Sequence, residues 1–360
     1  MKCRVLLLFF IVVSVLEAAA CTSAIVSGKL TSNGRPILWK HRDTSDLNNK
    51  VARIENDGKI PFVALFNSSD KECREAWIGM NESGFAIMNT ASYNLKNDTV
   101  SDMDKEGLLM SIALSECRTV DDFATLLDSL PKPLGVEANF GVIDAYGSAA
   151  YFETNNWEYE RFNVDDTEEG YLIRTNYSKS GRKGEGYGYI REQNAERLLA
   201  PYIANHSVTP AVFTEVLSRS FYHSLIDKDF EHDTVEWVVD RDFIPRRISS
   251  ASVAIEGVVA SENATDAVMW TVLGYPPCGI VYPVTVDSVP EELQADPQTG
   301  MASACDRANA LKSEVFPMEK DNGENYLNIN ALFNEEGTGI SQKCKEKSIN
   351  IYRERGIVLR

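Results

Sequence analysis

The chain has 360 residues, 44% hydrophobic and 25% charged, a composition that supplies a sizeable core with an ordinary solvated surface and excludes a disordered chain. Its 53 acidic against 36 basic side chains leave a formal net charge of −17, which repels polyanions and sets nucleic-acid binding aside. Seven cysteines without a C-x-x-C pair and four histidines without ligand spacing argue against a structural zinc site.

Lys2 and Arg4 give the chain a positive start. Val5 to Leu16 is an uncharged run too short to span a bilayer, and Ala18 and Ala20 satisfy the small-x-small rule for signal peptidase. Residues 1–20 are therefore predicted as a signal peptide, which makes Cys21 the first residue of an exported chain. No later stretch is long and apolar enough for a transmembrane segment, so a soluble periplasmic or secreted protein is expected.

After the cut, "CTSAIVSG", "RPILWKHRD", "IPFVALFNS" and "EAWIGMNESGFAIMNTAS" mix β-branched and aromatic residues with polar breaks such as Ser32-Asn33-Gly34, and pair most simply as one antiparallel meander. "GLLMSIALSECRTVDDFATLLDSL" places apolar residues at three-and-four spacing and predicts two helices, with Thr119 to Asp122 as break and cap. Strands return in "EANFGVIDAYGSAAYFET", folded at Asp144 to Gly147, then in "WEYERFNV" and "YLIRTNYS". Two helices follow, in "YIREQNAERLLAPYIANH" and in "TPAVFTEVLSRSFY", the latter with Thr209 as cap and Pro210 at its first position. "SSASVAIEGVVA" and "AVMWTVLGYPPCGIVYPV" are the last strands. This order, without a regular βαβ alternation, argues for α+β with antiparallel sheets. Residues 21–360 read as a single domain, of which 291–360 form a charged, C-terminal helical extension.

Cys3 leaves with the leader, and keeping Cys21 free leaves five cysteines, too few and too odd for a dense disulfide scaffold. Cys305 with Cys344, both in the C-terminal segment, is the pair expected to bridge.

Three readings of Cys21 compete: a small buried residue, a lipid anchor after Ala-Ala-Ala for a ligand-binding module, and an N-terminal nucleophile. The third has a chemical rationale for this position. A free α-amine, with a pKa of about 7.7 to 8, exchanges protons with a neighbouring thiol near neutral pH without a histidine.

Later motifs favour the nucleophile. "CTSAIVSG" with "ILWKHRDTS", then "WIGMNESGFAIMNT", "ANFGVIDAYGSAAYFE", "IRTNYS" and "YIREQNAERL" come in the order of a known family. The chain resembles the N-terminal-nucleophile (Ntn) cysteine hydrolases of the choloylglycine hydrolase and penicillin V acylase group, with the related acyl-coenzyme A:aminopenicillanic acid acyltransferases, over most of residues 21 to 280. The resemblance implies a four-layer αββα sandwich with Cys21 at the end of a central strand. It implies that Asp43 holds the α-amine, that Lys40, standing where the family has arginine, or Arg42 supplies positive charge, and that Asn89 and Asn176 stabilise the oxyanion. Arg191, with Arg197 as the alternative, would organise the pocket. No cofactor or metal is implied. The implied partner is a small-molecule acyl amide, hydrolysed at its linear C–N bond. Transfer of the acyl group to an amine and a cysteine-type dipeptidase are the alternatives, a ligand-binding lipoprotein is the non-enzyme rival, and a homo-oligomer is left open.

Overall fold

The computed structural model describes residues 20–318 and 325–359, so the expected signal peptide, apart from Ala20, lies outside the described residues. Extended segments buried on both faces build two large antiparallel sheets. β1 (Thr22–Val26) and β2 (Ile37–Asp43) form a hairpin. The chain then crosses to a seven-stranded meander in sequence order: β3 (Asn49–Ile54), β4 (Phe62–Asn67), β5 (Ile78–Asn81), β6 (Ala86–Ala91), β7 (Ala138–Ile143), β8 (Ala149–Thr154) and β9 (Tyr159–Asn163). Between β6 and β7 lie α1 (Glu106–Glu116) and α2 (Val120–Ser129). β10 (Tyr171–Arg174) returns to pair with β1, and is followed by α3 (Tyr189–Ala204) and α4 (Pro210–Glu215). β11 (Tyr222–His223) and β12 (Lys228–Asp229) make a small hairpin, and β13 (Trp237–Val239) follows. β14 (Ser249–Glu256), β15 (Val268–Leu273) and β16 (Tyr282–Val284) complete the first sheet in the order β10-β1-β2-β14-β15-β16. In the C-terminal segment, α5 (Ser303–Val315) precedes β17 (Tyr326–Asn328), which pairs with β13, and then come α6 (Ile329–Leu332) and α7 (Ile340–Glu354).

The α+β class with antiparallel sheets holds, but the first four extended stretches do not share one meander. β1 and β2 belong to one sheet, and the chain enters the other through β3, whose Asn-Lys-Val-Ala-Arg-Ile is too polar to read as a strand. Three cores show how the sheets are covered. Ile25, Leu38 and Val253 of the first sheet meet Val63, Met80 and Met88 of the second. Phe66, Ile87 and Phe140 pack under Leu114 and Phe123 of the helix pair α1–α2. Trp39, Ala254 and Trp270 pack under Leu199 of α3, Phe213 of α4 and Tyr352 of α7. The sheets face each other, and each carries helices on its other side. Burying a side chain of this size contributes about 1.5–3 kcal/mol, so these apolar faces are what hold the layers together.

Local signals work where they are local. Thr119 and Asp122 form a reciprocal capping box at the start of α2, and Pro210 occupies the first turn of α4. α4 stops at Glu215 instead of running on to Tyr222. Arg219, paired to Glu215 at 2.8 Å, also donates to the carbonyls of Pro277 and Gly279, which draws the chain into a 3-10 turn over Leu217–Arg219.

The expected Cys305–Cys344 bridge is not formed. Cys305 is buried in the core between the sheets, where its thiol meets the Asn49 N–H and the Leu47 carbonyl, whereas Cys344 on α7 donates to the Cys278 carbonyl at 3.4 Å. Each thiol is held in a different environment, and all six cysteines of the described residues are free. No helix among the described residues is long and apolar enough to cross a membrane.

Candidate active site

Strand parity decides where the charges of β2 go, because successive side chains leave a strand on opposite faces. Leu38 enters the core between the sheets, while Ile37 and Trp39 enter the core under the helices. Lys40 and Arg42 therefore share the face of Leu38, and His41 and Asp43 share the face of Trp39. All seven residues of β2 are buried, so each charged group must find a partner inside the protein.

The cation that pairs directly with Asp43 is Arg246, distant in sequence. Its Nη2 lies 2.5 Å from Asp43 Oδ2, and the Ser249 hydroxyl donates to Oδ1 at 2.6 Å. A register shift in β14 between Ser249 and Ala251 sets Ser249 opposite Asp43. His41 Nε2 is 2.8 Å from the same hydroxyl, and burial lowers its pKa to about 4, so the imidazole is neutral at ordinary pH. Arg246 also donates to the carbonyl of Ala20 at 2.8 Å. One guanidinium thus ties Asp43 to the residue immediately before Cys21.

On the other face, Lys40 Nζ donates to Asn89 Oδ1 at 2.7 Å and to the Trp77 carbonyl at 2.9 Å. An ammonium only donates, so it fixes the Asn89 amide with its oxygen toward Lys40 and its NH2 away. Burial lowers the Lys40 pKa to about 8, against an opposing effect of the Cys21 charge. Arg42 is held by Asn49 and Asn67 over the Trp77 ring, its carbon 4.8 Å from the centroid.

Cys21 is 5% exposed and immediately precedes β1. Its thiol lies 3.9 Å from the Asp43 carbonyl. Arg191, fully enclosed on α3, donates to the Cys21 carbonyl at 2.6 Å, to Thr22 Oγ1 at 2.9 Å and to Asn176 Oδ1 at 2.8 Å. Gly188, at the start of α3 with φ of 94°, makes this approach feasible, since a Cβ there would sit 2.4 Å from Arg191 Nη2. Asn176 Nδ2 donates to the Ala91 carbonyl at 2.9 Å. Arg197 lies on the exposed side of α3, paired with Asp227.

Cys21, Lys40, Asp43, Asn89, Arg42 and Trp77 share one cavity of about 320 Å³. Asn176 and Arg191 stand behind it and hold the backbone at Cys21 and Ala91. A larger cleft of about 610 Å³, beside Glu256 and Trp270, lies at the opposite end of β2, where Glu256 pairs with Ile37. It contains no nucleophilic thiol, so the smaller cavity is the candidate site. Sequence reasoning missed Arg246 and Ser249, which stand in no motif, and Trp77, which opens the motif "WIGMNESGFAIMNT" but was given no role.

Burial also fixes how stability responds to pH. It raises Glu106 to about 7, Glu192 to about 8 and Asp240 to about 7. A raised carboxylate stabilises the fold below its unfolded pKa and loses that contribution as pH rises through its folded value. His41 acts in the opposite sense, but only between about 4 and 6.5. The melting temperature is therefore expected to fall from pH 6.5 to about 7.5, below the range where the lowered Lys40 and Lys312 act in the opposite sense, and Asp240→Asn to flatten part of that slope. A melting temperature that rises across this window in calorimetry counts against the assignment.

No protein-family model and no curated protein matches the chain. Among solved structures it is similar to a mutant of conjugated bile acid hydrolase from Clostridium perfringens, with 11% identity, a TM-score of 0.47, and coverage of 75% of this chain and 93% of that one. It is also similar to the Caenorhabditis elegans ortholog of N-acylethanolamine-hydrolyzing acid amidase, with 12% identity, a TM-score of 0.42, and coverage of 66% and 92%. Penicillin V acylase from Agrobacterium tumefaciens gives 11% identity, a TM-score of 0.43, and coverage of 79% and 96%.

Proposed function

We propose that the chain is exported, loses residues 1–20, and hydrolyses a linear amide bond of an N-acyl amide or N-acyl amino acid with Cys21 as its N-terminal nucleophile. The observation that carries this reading is the convergence on one cavity of the Cys21 thiol, the Asn89 amide and Lys40, with Asp43 linked through Arg246 to the start of Cys21.

The thiolate attacks the amide carbonyl and forms a C–S bond. The α-amine of Cys21 carries the thiol proton to the leaving nitrogen as the C–N bond breaks. Water then hydrolyses the thioester, releasing the carboxylic acid and restoring the thiol. Asp43, fixed by Arg246 and Ser249, holds the α-ammonium. Lys40 turns the Asn89 NH2 toward the cavity, where it donates to the tetrahedral oxyanion. Asn176, whose Nδ2 is committed to the Ala91 carbonyl, supports that wall, and Arg191 holds the Cys21 carbonyl. Acyl transfer differs only in whether an amine or water takes the acyl group from Cys21.

Mature protein beginning at Cys21 is to be assayed on N-acyl amides, N-acyl amino acids and dipeptides, with and without an amine acceptor. Turnover with a transient acyl mass on Cys21 is expected, and Asn89→Ala should lower kcat by about a hundredfold, as loss of one oxyanion donor does. No turnover across the panel, or turnover that survives Cys21→Ala, sinks the reading.

A further inference from the structure

The rest of the candidate cavity differs from its thiol wall. The segments around residues 93, 103–106 and 137 contribute Tyr93 and Met103 together with three carboxylates, Asp104, Glu106 and Glu137. Glu106, only 9% exposed, spends one oxygen on the Glu137 N–H at 2.9 Å. Glu137 spends one oxygen on the N–H groups of Leu95 and Lys96, at 2.7 and 2.8 Å. None of the three carboxylates forms an ion pair among the described residues. The cation on this wall, Lys96, is committed to Asp98 at 3.1 Å, and Lys40 is held by Asn89 and the Trp77 carbonyl.

A carboxylate enclosed as Glu106 is, beside aromatic side chains and without an ion pair, is costly to keep charged, and a cation delivered to it offsets that cost. The acyl portion of a substrate is the part that stays in the cavity, because it remains bonded to Cys21 after the amine has left. We infer that the cavity selects amides whose acyl chain ends in a protonated amine, with Glu106 as the specificity-determining residue and Asp104 as its outer partner. This rests on the amide-hydrolase reading above. The methylene stem would run along Trp77, Tyr93 and Met103, and the ammonium would meet the second oxygen of Glu106. Burial raises Glu106 to about 7, while Lys40, Asp104, Glu137 and Tyr93 face the same space, so the preference should grow as pH rises through 7 and Glu106 ionises.

The test compares 5-aminopentanoyl and hexanoyl anilides, which match in length and differ in one ammonium. At pH 8 the mature protein is expected to favour the cationic anilide by about tenfold or more in kcat/KM, chiefly through KM, as one enclosed charge-assisted contact allows. Glu106→Gln should bring the ratio close to one. Asp104→Asn, at an exposed position whose left-handed backbone (φ of 65°) asparagine tolerates, should lower it about threefold without threatening the fold. A ratio of one or below in the unmodified protein overturns the inference. If neither anilide is turned over, calorimetric binding of both anilides to the Cys21→Ala protein decides the inference, while the panel above decides the hydrolase reading separately. Tighter binding of the cation, abolished by Glu106→Gln, supports it; equal or weaker binding refutes it.

Discussion

A chain that keeps Ala20 joined to Cys21 is expected to turn over no amide. With Ala20 in place the nitrogen of Cys21 is an amide, which has no useful basicity near neutral pH, whereas a free α-amine has a pKa of about 7.7 to 8. The Ala20 carbonyl also occupies Arg246 at 2.8 Å, on the guanidinium that holds Asp43. Removing Ala20 releases that hydrogen bond and creates a charged amine that, on the proposed mechanism, the Asp43 carboxylate holds. General acid–base catalysis contributes about 10²- to 10⁴-fold, so a verified uncut chain should lose about 10³-fold or more in acylation rate relative to the trimmed one. Cys21→Ala should be as inactive. The uncut chain keeps its thiol and its fold, so it should still be alkylated by iodoacetamide, and that separates loss of the base from loss of the nucleophile. Intact mass and turnover on one shared substrate read the outcome. Undiminished turnover by a protein shown to retain Ala20 would remove the α-amine from the mechanism.

What could be read from the sequence was what is local or carried by order. The Thr119–Asp122 cap, the turn at Asp144–Gly147 and the extended stretch of β2 depend on neighbours within a few residues, and each is where the sequence reading put it. Cys21, Lys40, Asp43 and Asn89 also share a cavity as a set. The ion-pair partner of Asp43 was not legible in the sequence. Lys40 lies three residues before Asp43 and Arg42 one, and an odd separation on a strand sends two side chains to opposite faces. The true partner could not be found in this way. Arg246 is 203 residues from Asp43 in sequence and reaches it only because β14 pairs with β2, a register that no local pattern encodes. The same limit applies to Cys305, whose neighbours Leu47 and Asn49 come from the start of β3 rather than from its own segment.

Arg246→Met is expected to be among the most destabilising single changes in this protein, although Arg246 belongs to no motif. Asp43 has a fully buried side chain, and Arg246 is its cation at 2.5 Å. Breaking a buried pair by removing one partner costs about 3–5 kcal/mol, because the remaining charge is left desolvated. Here the Ser249 hydroxyl still serves Asp43 Oδ1, which points to the low end, about 3 kcal/mol in urea unfolding. The diagnostic is the double change. Asp43→Asn with Arg246→Met removes both charges, so it should cost less than the sum of the single changes by about 1.5–3 kcal/mol. Sodium chloride should scarcely alter that coupling, since screening acts weakly on a buried pair. Additive single costs would mean that the two groups are independent in solution. Activity separates the remaining roles. Arg246→Lys keeps a charge near Asp43 but loses the planar guanidinium whose Nη2 meets Asp43 Oδ2, so it should recover stability more than kcat. A lysine variant that restores both in full would reduce Arg246 to a counterion of Asp43.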